Sequence, residues 1–245
     1  MRVDALAISL RARSNMEAAD LGVRLCQHSA RSVFRCYLPV ALTVLALALA
    51  AFELAPWLPT LAIWMAKPWL DRTALFALSR AAFGQSTTFG DLWREQRRVL
   101  WSQLFITWTW RRLSPWRSLT QPTYQLEGLS GSRLRKRVRQ VRAGKAGAGA
   151  MMTSAFASVE LALTLALLSL LFWLAPKGMA PDVDLMSITE GRATGVELAY
   201  AFAYAAVVAF LEPFYVAAGF GMYLNRRVEL EAWDIEQEFR RAFAE

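Results

Sequence analysis

AGAMMTSAFASVELALTLALLSLLFWLA, residues 148–175, carries one ionisable side chain, Glu160, in 28 positions. A helix rising 1.5 Å per residue over that length exceeds the roughly 30 Å of a bilayer's hydrocarbon core. The stretch follows the densest basic run of the chain, Arg133 to Lys145, and closes on Trp173 and Pro176. Working outward, apolar segments at 37–55, 58–83 and 193–224 have comparable length. The expected fold is therefore an all-α integral membrane bundle forming a single membrane domain over 1–245. It has about four transmembrane helices (37–55, 58–83, 148–175, 193–224) and amphipathic helices at the interface.

Composition agrees with a bilayer protein. Of 245 residues 56% are hydrophobic, and the mean hydropathy is +0.26. The apolar residues are clustered, with charged stretches between them. Net charge is +8, and the basic residues flank apolar segments, which suits anionic lipid headgroups and argues against nucleic acid as a partner. Cys26 and Cys36 are expected to remain unbridged on a reducing face. Leu38–Ala51 ends in small residues, as a signal peptide does. It lies 37 residues into the chain and further spans follow, so it reads as the first anchor.

Charge asymmetry sets the expected orientation. Segments 1–36, 84–147 and 225–245 hold six, thirteen and four Lys or Arg, whereas the two remaining loops together hold two, Lys177 and Arg192. The positive-inside rule then places both termini on the cytoplasmic side. The aromatic stretch 100–110, with Trp101, Trp108 and Trp110, is too short to cross and is flanked by arginines on both sides. It is expected to be re-entrant or interfacial.

Residues 15–36 suggest an interfacial helix capped by Asn15, with Arg24, His28, Arg31 and Arg35 spaced as one basic stripe and Ala18, Leu21 and Leu25 on a less polar face. Segment 84–147 reads as a cytoplasmic or interfacial basic region ending in a flexible joint at Gly144, Gly147 and Gly149. A charged helix over 225–245 follows the last span, with Val228, Ala232, Ile235, Phe239 and Ala242 at helical spacing.

Ionisable residues inside spans are costly unless paired or hydrated, so they mark the candidate site. They are Lys67, Asp71 and Arg72 in the second span, Glu160 in the third and Glu212 in the fourth. Matching depths favour an Arg72–Glu212 pair between helices, with Lys67 the second choice; Lys67 and Asp71, one turn apart, can also pair locally. Lys67-Pro68 and Glu212-Pro213 place a helix-perturbing proline beside two of these charges. A second candidate surface is the basic patch Arg133, Arg135, Lys136, Arg137, Arg139 and Arg142. It can bind anionic headgroups, dock a protein, or pair with the acidic residues Glu229, Glu231, Asp234, Glu236 and Glu238. No phosphate-binding loop, zinc-binding helix, CxxC or nucleophile-elbow motif occurs, and one histidine cannot build a relay. The expectation is a non-enzymatic protein with no cofactor and no metal.

EPFYVAAGFGMYLNRR, residues 212–227, running on to Glu231-Ala-Trp-Asp-Ile-Glu, resembles the ending of a family of bacterial inner-membrane proteins of unassigned activity. Ile63-Trp-Met-Ala-Lys-Pro-Trp-Leu-Asp-Arg and the opening around Glu17-Ala-Ala-Asp-Leu-Gly resemble the same family. More distantly, the plan is similar to the membrane domain found beside some glycerophosphodiester phosphodiesterases, whose catalytic residues have no counterpart here. The resemblance implies genes near MoxR-type AAA+ ATPases and transglutaminase-like membrane proteins, and so an envelope complex. The functional expectation is a membrane scaffold that docks partners through its cytoplasmic face. The alternative is a small transporter or lipid-handling protein with a charged cavity between helices.

Overall fold

A computed structural model describes residues 13–101, 107, 113–174 and 194–231. Every regular element among them is helical: α1 (Asn15–His28), α2 (Ala30–Ala50), α3 (Leu58–Ala81), α4 (Phe89–Arg94), α5 (Arg117–Leu126), α6 (Gly131–Arg142), α7 (Ala146–Leu174) and α8 (Thr194–Glu231). A 3-10 turn, Ala51–Glu53, extends α2, and a π-helical turn, Arg97–Trp101, follows α4. Ala30–Glu53, Ala146–Leu170 and Gly195–Glu231 are long and apolar enough to cross a membrane. Helix α3 has 24 residues, but every 18-residue window within it contains Lys67, Asp71 and Arg72. Hydropathy and length therefore support three spans rather than four. The 176–192 loop, most of the 100–110 stretch and the repeat at Ala232, Ile235, Phe239 and Ala242 lie outside the described residues.

Several boundaries differ from the expectation. Residues 15–36 are two helices, because α1 stops at Ser29, whose N–H returns to the Leu25 carbonyl, and α2 starts at Ala30. The cap of α1 is Ser14, not Asn15: its hydroxyl accepts from Glu17 N–H while the Glu17 carboxylate accepts from Ser14 N–H, a reciprocal capping box. Gly144 does turn the chain, with φ +72°, yet Gly147 and Gly149 already belong to α7. The basic segment is not a surface excursion throughout, since Ser118 to Thr123 of α5 are all buried.

Helix α8 is the hub, packing against α1, α2, α3, α5 and α7. Its apolar run explains the burial; its small residues explain how closely the neighbours come. Ala18 and Gly22 of α1 face Ala217, Ala218 and Gly221 of α8 at backbone contact. A Cβ on Gly22 would lie 1.9 Å from the Ala217 carbonyl oxygen, and one on Gly221 would lie 2.1 Å from that of Ala18. Both helices carry the small-x-x-x-small pattern that permits such an approach. On another side of α8, Gly219 leaves room for Ser118 of α5, whose Cβ would be 2.4 Å from an added methyl. At the end of α3, Arg80 pairs with Glu95 at 2.7 Å and fixes α4 and the π turn. Asp91 accepts from the Thr88 backbone and hydroxyl, which hold its carboxyl below the usual range.

Gly221→Ala should lower stability by about 1–3 kcal/mol because neither backbone can retreat without separating the helices. Gly147→Ala meets nothing within 4 Å and should leave it unchanged or slightly higher. Thermal unfolding of the detergent-solubilised chain distinguishes the two.

Candidate functional site: a buried chain of charge between two cavities

Four helices bring five charged side chains together. Lys67 and Asp71 are four residues apart on α3 and so share a face; Arg117 opens α5, Glu160 lies on α7, and Glu212 lies on α8 beside Pro213. Lys67 Nζ contacts Glu160 Oε2 at 2.5 Å and Glu212 Oε2 at 3.0 Å. The other oxygen of Glu212 accepts from Arg117 Nη2 at 3.1 Å, and Arg117 Nε lies 2.8 Å from Asp71 Oδ2. The order is Glu160, Lys67, Glu212, Arg117, Asp71, with alternating sign. The Glu212 and Asp71 side chains are 1% and 0% exposed, so neither is solvated by bulk water.

The Arg117–Asp71 contact is ionic rather than directional. Its distance is short, but Arg117 Nε and both Asp71 oxygens lack a hydrogen bond of good geometry. Burial opposes the charge of Arg117, yet Asp71 and Glu212 hold its guanidinium above the usual arginine range. Its guanidinium also lies 5.2 Å from the ring of Tyr215, whose hydroxyl is 3.2 Å from Thr153 Oγ1.

The expected site residues thus converge, with corrections. The cations on Glu212 are Lys67, the second choice, and Arg117. Arg72 follows Asp71 by one residue, about 100° around the helix, and points elsewhere. It donates to the Val99 and Leu100 carbonyls at 3.1 and 3.4 Å and to Thr107 Oγ1 at 3.2 Å. Asp71 is paired with Arg117 rather than locally with Lys67. Helices α3 and α8 run through Pro68 and Pro213 without interruption. Arg117 is the functional residue that sequence reasoning missed, having been grouped with the flanking arginines. Three intraspan carboxylates against Lys67 and Arg72 were the available signal that another cation had to enter.

Two cavities meet this chain. A groove of about 710 Å³ between the start of α3, the middle of α7 and the start of α8 is lined by Thr60, Trp64, Glu160, Thr164 and Tyr200. A cavity of about 420 Å³ between α3, α5 and the end of α6 is lined by Arg72, Arg117, Gln121, Gln125 and Arg142. Glu160 belongs to the first and Arg117 to the second; Lys67 and Glu212 join them. A third, open groove of about 700 Å³ keeps Arg24, His28, Arg31 and Arg35 together across the helix break, against residues 84–88.

The basic patch divides. Arg137 turns inward to Glu127, at 2.9 Å, and to Glu231, while Lys145 pairs with Glu229 at 2.7 Å. Tyr223 donates to Glu127 at 2.7 Å, and Asn225 holds the Arg13 backbone by two hydrogen bonds. The motif Tyr-Leu-Asn-Arg-Arg therefore ties α5, α6 and the N-terminal segment to the end of α8. Arg133, Arg135, Lys136, Arg139 and Arg142 remain exposed. Cys26 and Cys36 are free and buried, and burial pushes the Cys26 thiol up to about 12. Among the described residues no group of three His, Cys, Asp or Glu is placed to hold a metal. No family model, curated protein or solved structure matches the chain.

Lys67→Met should cost about 3–5 kcal/mol, because it leaves Glu160 and Glu212 facing each other without their shared cation. Adding Glu160→Gln should recover part of that loss. A double-mutant cycle on unfolding midpoints measures the coupling, and additive effects would mean that Lys67 and Glu160 do not interact.

Proposed function

We propose that this chain is a four-span inner-membrane protein, with both termini cytoplasmic, that binds and moves a small charged solute or lipid headgroup between its helices without a catalytic step. The observation that carries the reading is the continuous line of charge from the groove at Glu160 to the cavity at Arg117. Ion pairs that served only to lock helices would need no aqueous space at either end. A cavity adjoins this line at Glu160 and another at Arg117. The fourth span is α3, whose Lys67, Asp71 and Arg72 are buried in the bundle and whose Arg80 lies at its end, so its outer surface is compatible with lipid despite its modest hydropathy. Its N-terminal end, with the exposed Trp57, then lies at the outer face, and the groove opens there.

A second reading, a scaffold for an envelope complex, is favoured by one specific observation. Arg133, Arg135, Lys136 and Arg139 stand exposed on α6 and, among the described residues, have no acidic partner. Such a row suits anionic headgroups or an acidic protein, including the AAA+-linked partners that the family resemblance implies. Under this reading, mild solubilisation should bring down a stoichiometric partner that is lost when these four residues are neutralised.

Site-directed thiol labelling tests the first reading. Cys26 and Cys36 are buried, so they should stay silent toward a membrane-impermeant maleimide at neutral pH. Thr60→Cys, at a half-buried position lining the groove, should then label from outside intact cells, and Ser114→Cys only from the cytoplasmic side of inverted vesicles. Labelling of both from one side, or of neither, would remove the reading.

A further inference from the structure

We infer that the cavity between α3, α5 and the end of α6 seats the phosphate of an anionic phospholipid headgroup. The inference rests on the reading above only in taking this cavity as the inner end of the charged line.

Arg72, Arg117 and Arg142 line the cavity, and among the described residues no Asp or Glu does. Asp71 and Glu212 engage Arg117 from behind, which fixes its position. Arginine forks match the oxygens of a phosphate and are the usual means of holding one. Arg142 is exposed, lies over the Trp116 ring at 4.4 Å, and among the described residues has no acidic partner. It is thus the cation with freedom to close on a ligand.

A separate observation points to a missing acceptor. Gln121 lines the same cavity, is 8% exposed, and its side-chain Nε2 is buried without a hydrogen-bond partner. A buried amide donor with nothing to donate to is destabilising, so it calls for an acceptor, and the three arginines beside it favour one of negative charge. The neighbouring Gln125 donates through Nε2 to the Arg72 carbonyl at 2.9 Å, and its Oε1 is likewise buried without a partner, a place for a donor such as the hydroxyl of a headgroup.

The rim separates a lipid from a free phosphate. Leu113 is 75% exposed at the mouth, with Pro115 and Trp116 beside it. A soluble anion gains nothing from that apolar lip. A headgroup whose acyl chains leave across it gains burial, and about 420 Å³ is far more room than one phosphate ion occupies.

The test uses the full chain, delipidated in detergent and then given phosphatidylglycerol, phosphatidylcholine or inorganic phosphate. Native mass spectrometry counts bound lipid, and thermal shift reads inorganic phosphate. One phosphatidylglycerol should be retained per chain, with affinity at least tenfold above that for phosphatidylcholine. Gln121→Leu and Arg142→Ala should each weaken it about tenfold or more. Arg97→Ala, which removes an exposed charge away from the cavity, should not. Without lipid, Gln121→Leu should melt no lower than the parent, since it deletes an unpartnered amide; this separates lost binding from lost folding.

Equal weakening by Arg97→Ala would reduce the effect to net charge and overturn the site. Undiminished binding in both cavity variants would overturn it too. Stabilisation by inorganic phosphate, abolished by the cavity variants and without lipid retention, would overturn the lipid and assign a soluble phosphate. Thiol labelling is read independently. Failed lipid binding with side-specific labelling spares the carrier reading, and the converse removes the carrier while leaving a lipid site.

Discussion

Glu212 holds this molecule together, because its two carboxylate oxygens take different cations from different helices. Oε2 takes Lys67 of α3 and Oε1 takes Arg117 of α5, while the side chain itself is 1% exposed. A carboxylate that deep is tolerable only if both oxygens are satisfied, and the same requirement extends to each partner in turn. Lys67 therefore also takes Glu160, and Arg117 also takes Asp71. Four helices are positioned by groups none of which can be left alone, which imposes a register that apolar packing between leucines would leave open.

That register is reachable because α8 is lean where others must come near. Ala217 to Gly221 begins five residues after Glu212, and its small side chains let α1 and α5 approach to backbone distance on separate sides. The approach of Ser118 over Gly219 sets the height of α5, and with it the placement of the preceding residue, Arg117. Close packing and charge pairing are thus one constraint. A larger residue at 219 would push α5 outward and draw Arg117 from Glu212.

The helical class, the apolar segments near 37–55, 148–175 and 193–224, and the membership of Lys67, Asp71, Glu160 and Glu212 in one site were legible because hydrophobic runs and intraspan charges are local signals. Arg117 was not, since nothing nearby marks it as different from Arg111 or Arg112. What distinguishes it is the company of α3 and α8, far away in sequence. The preference for Arg72 over Lys67 failed for a related reason. Matching depth along two helices does not fix azimuth, and one residue of rotation turns Arg72 away from α8 toward the π turn. The glycines of α8 stood in a stretch noted for family resemblance. Their packing role became visible only with Ala18 and Gly22 opposite them.

Helix α7 stands apart from this tight assembly. It is at least as apolar as α8, yet 11% of its candidate span is buried against 72% for that of α8. Leu161, Leu163, Leu165 and Leu170 all face outward, and the helix enters the charge chain through Glu160 alone. Moving the middle of α7 away would break one ion pair and leave Lys67 on Glu212, whereas its start is tied to α5 by Trp116 Nε1 donating to the Ala146 carbonyl and Thr153 Oγ1 donating to the Pro115 carbonyl, each at 2.8 Å. Moving α3, α5 or α8 would strand at least one buried charge. The architecture therefore confines low-cost motion to the part of α7 beyond Thr153 that walls the outer groove, while the inner cavity keeps its shape through α3, α5 and the anchored start of α7.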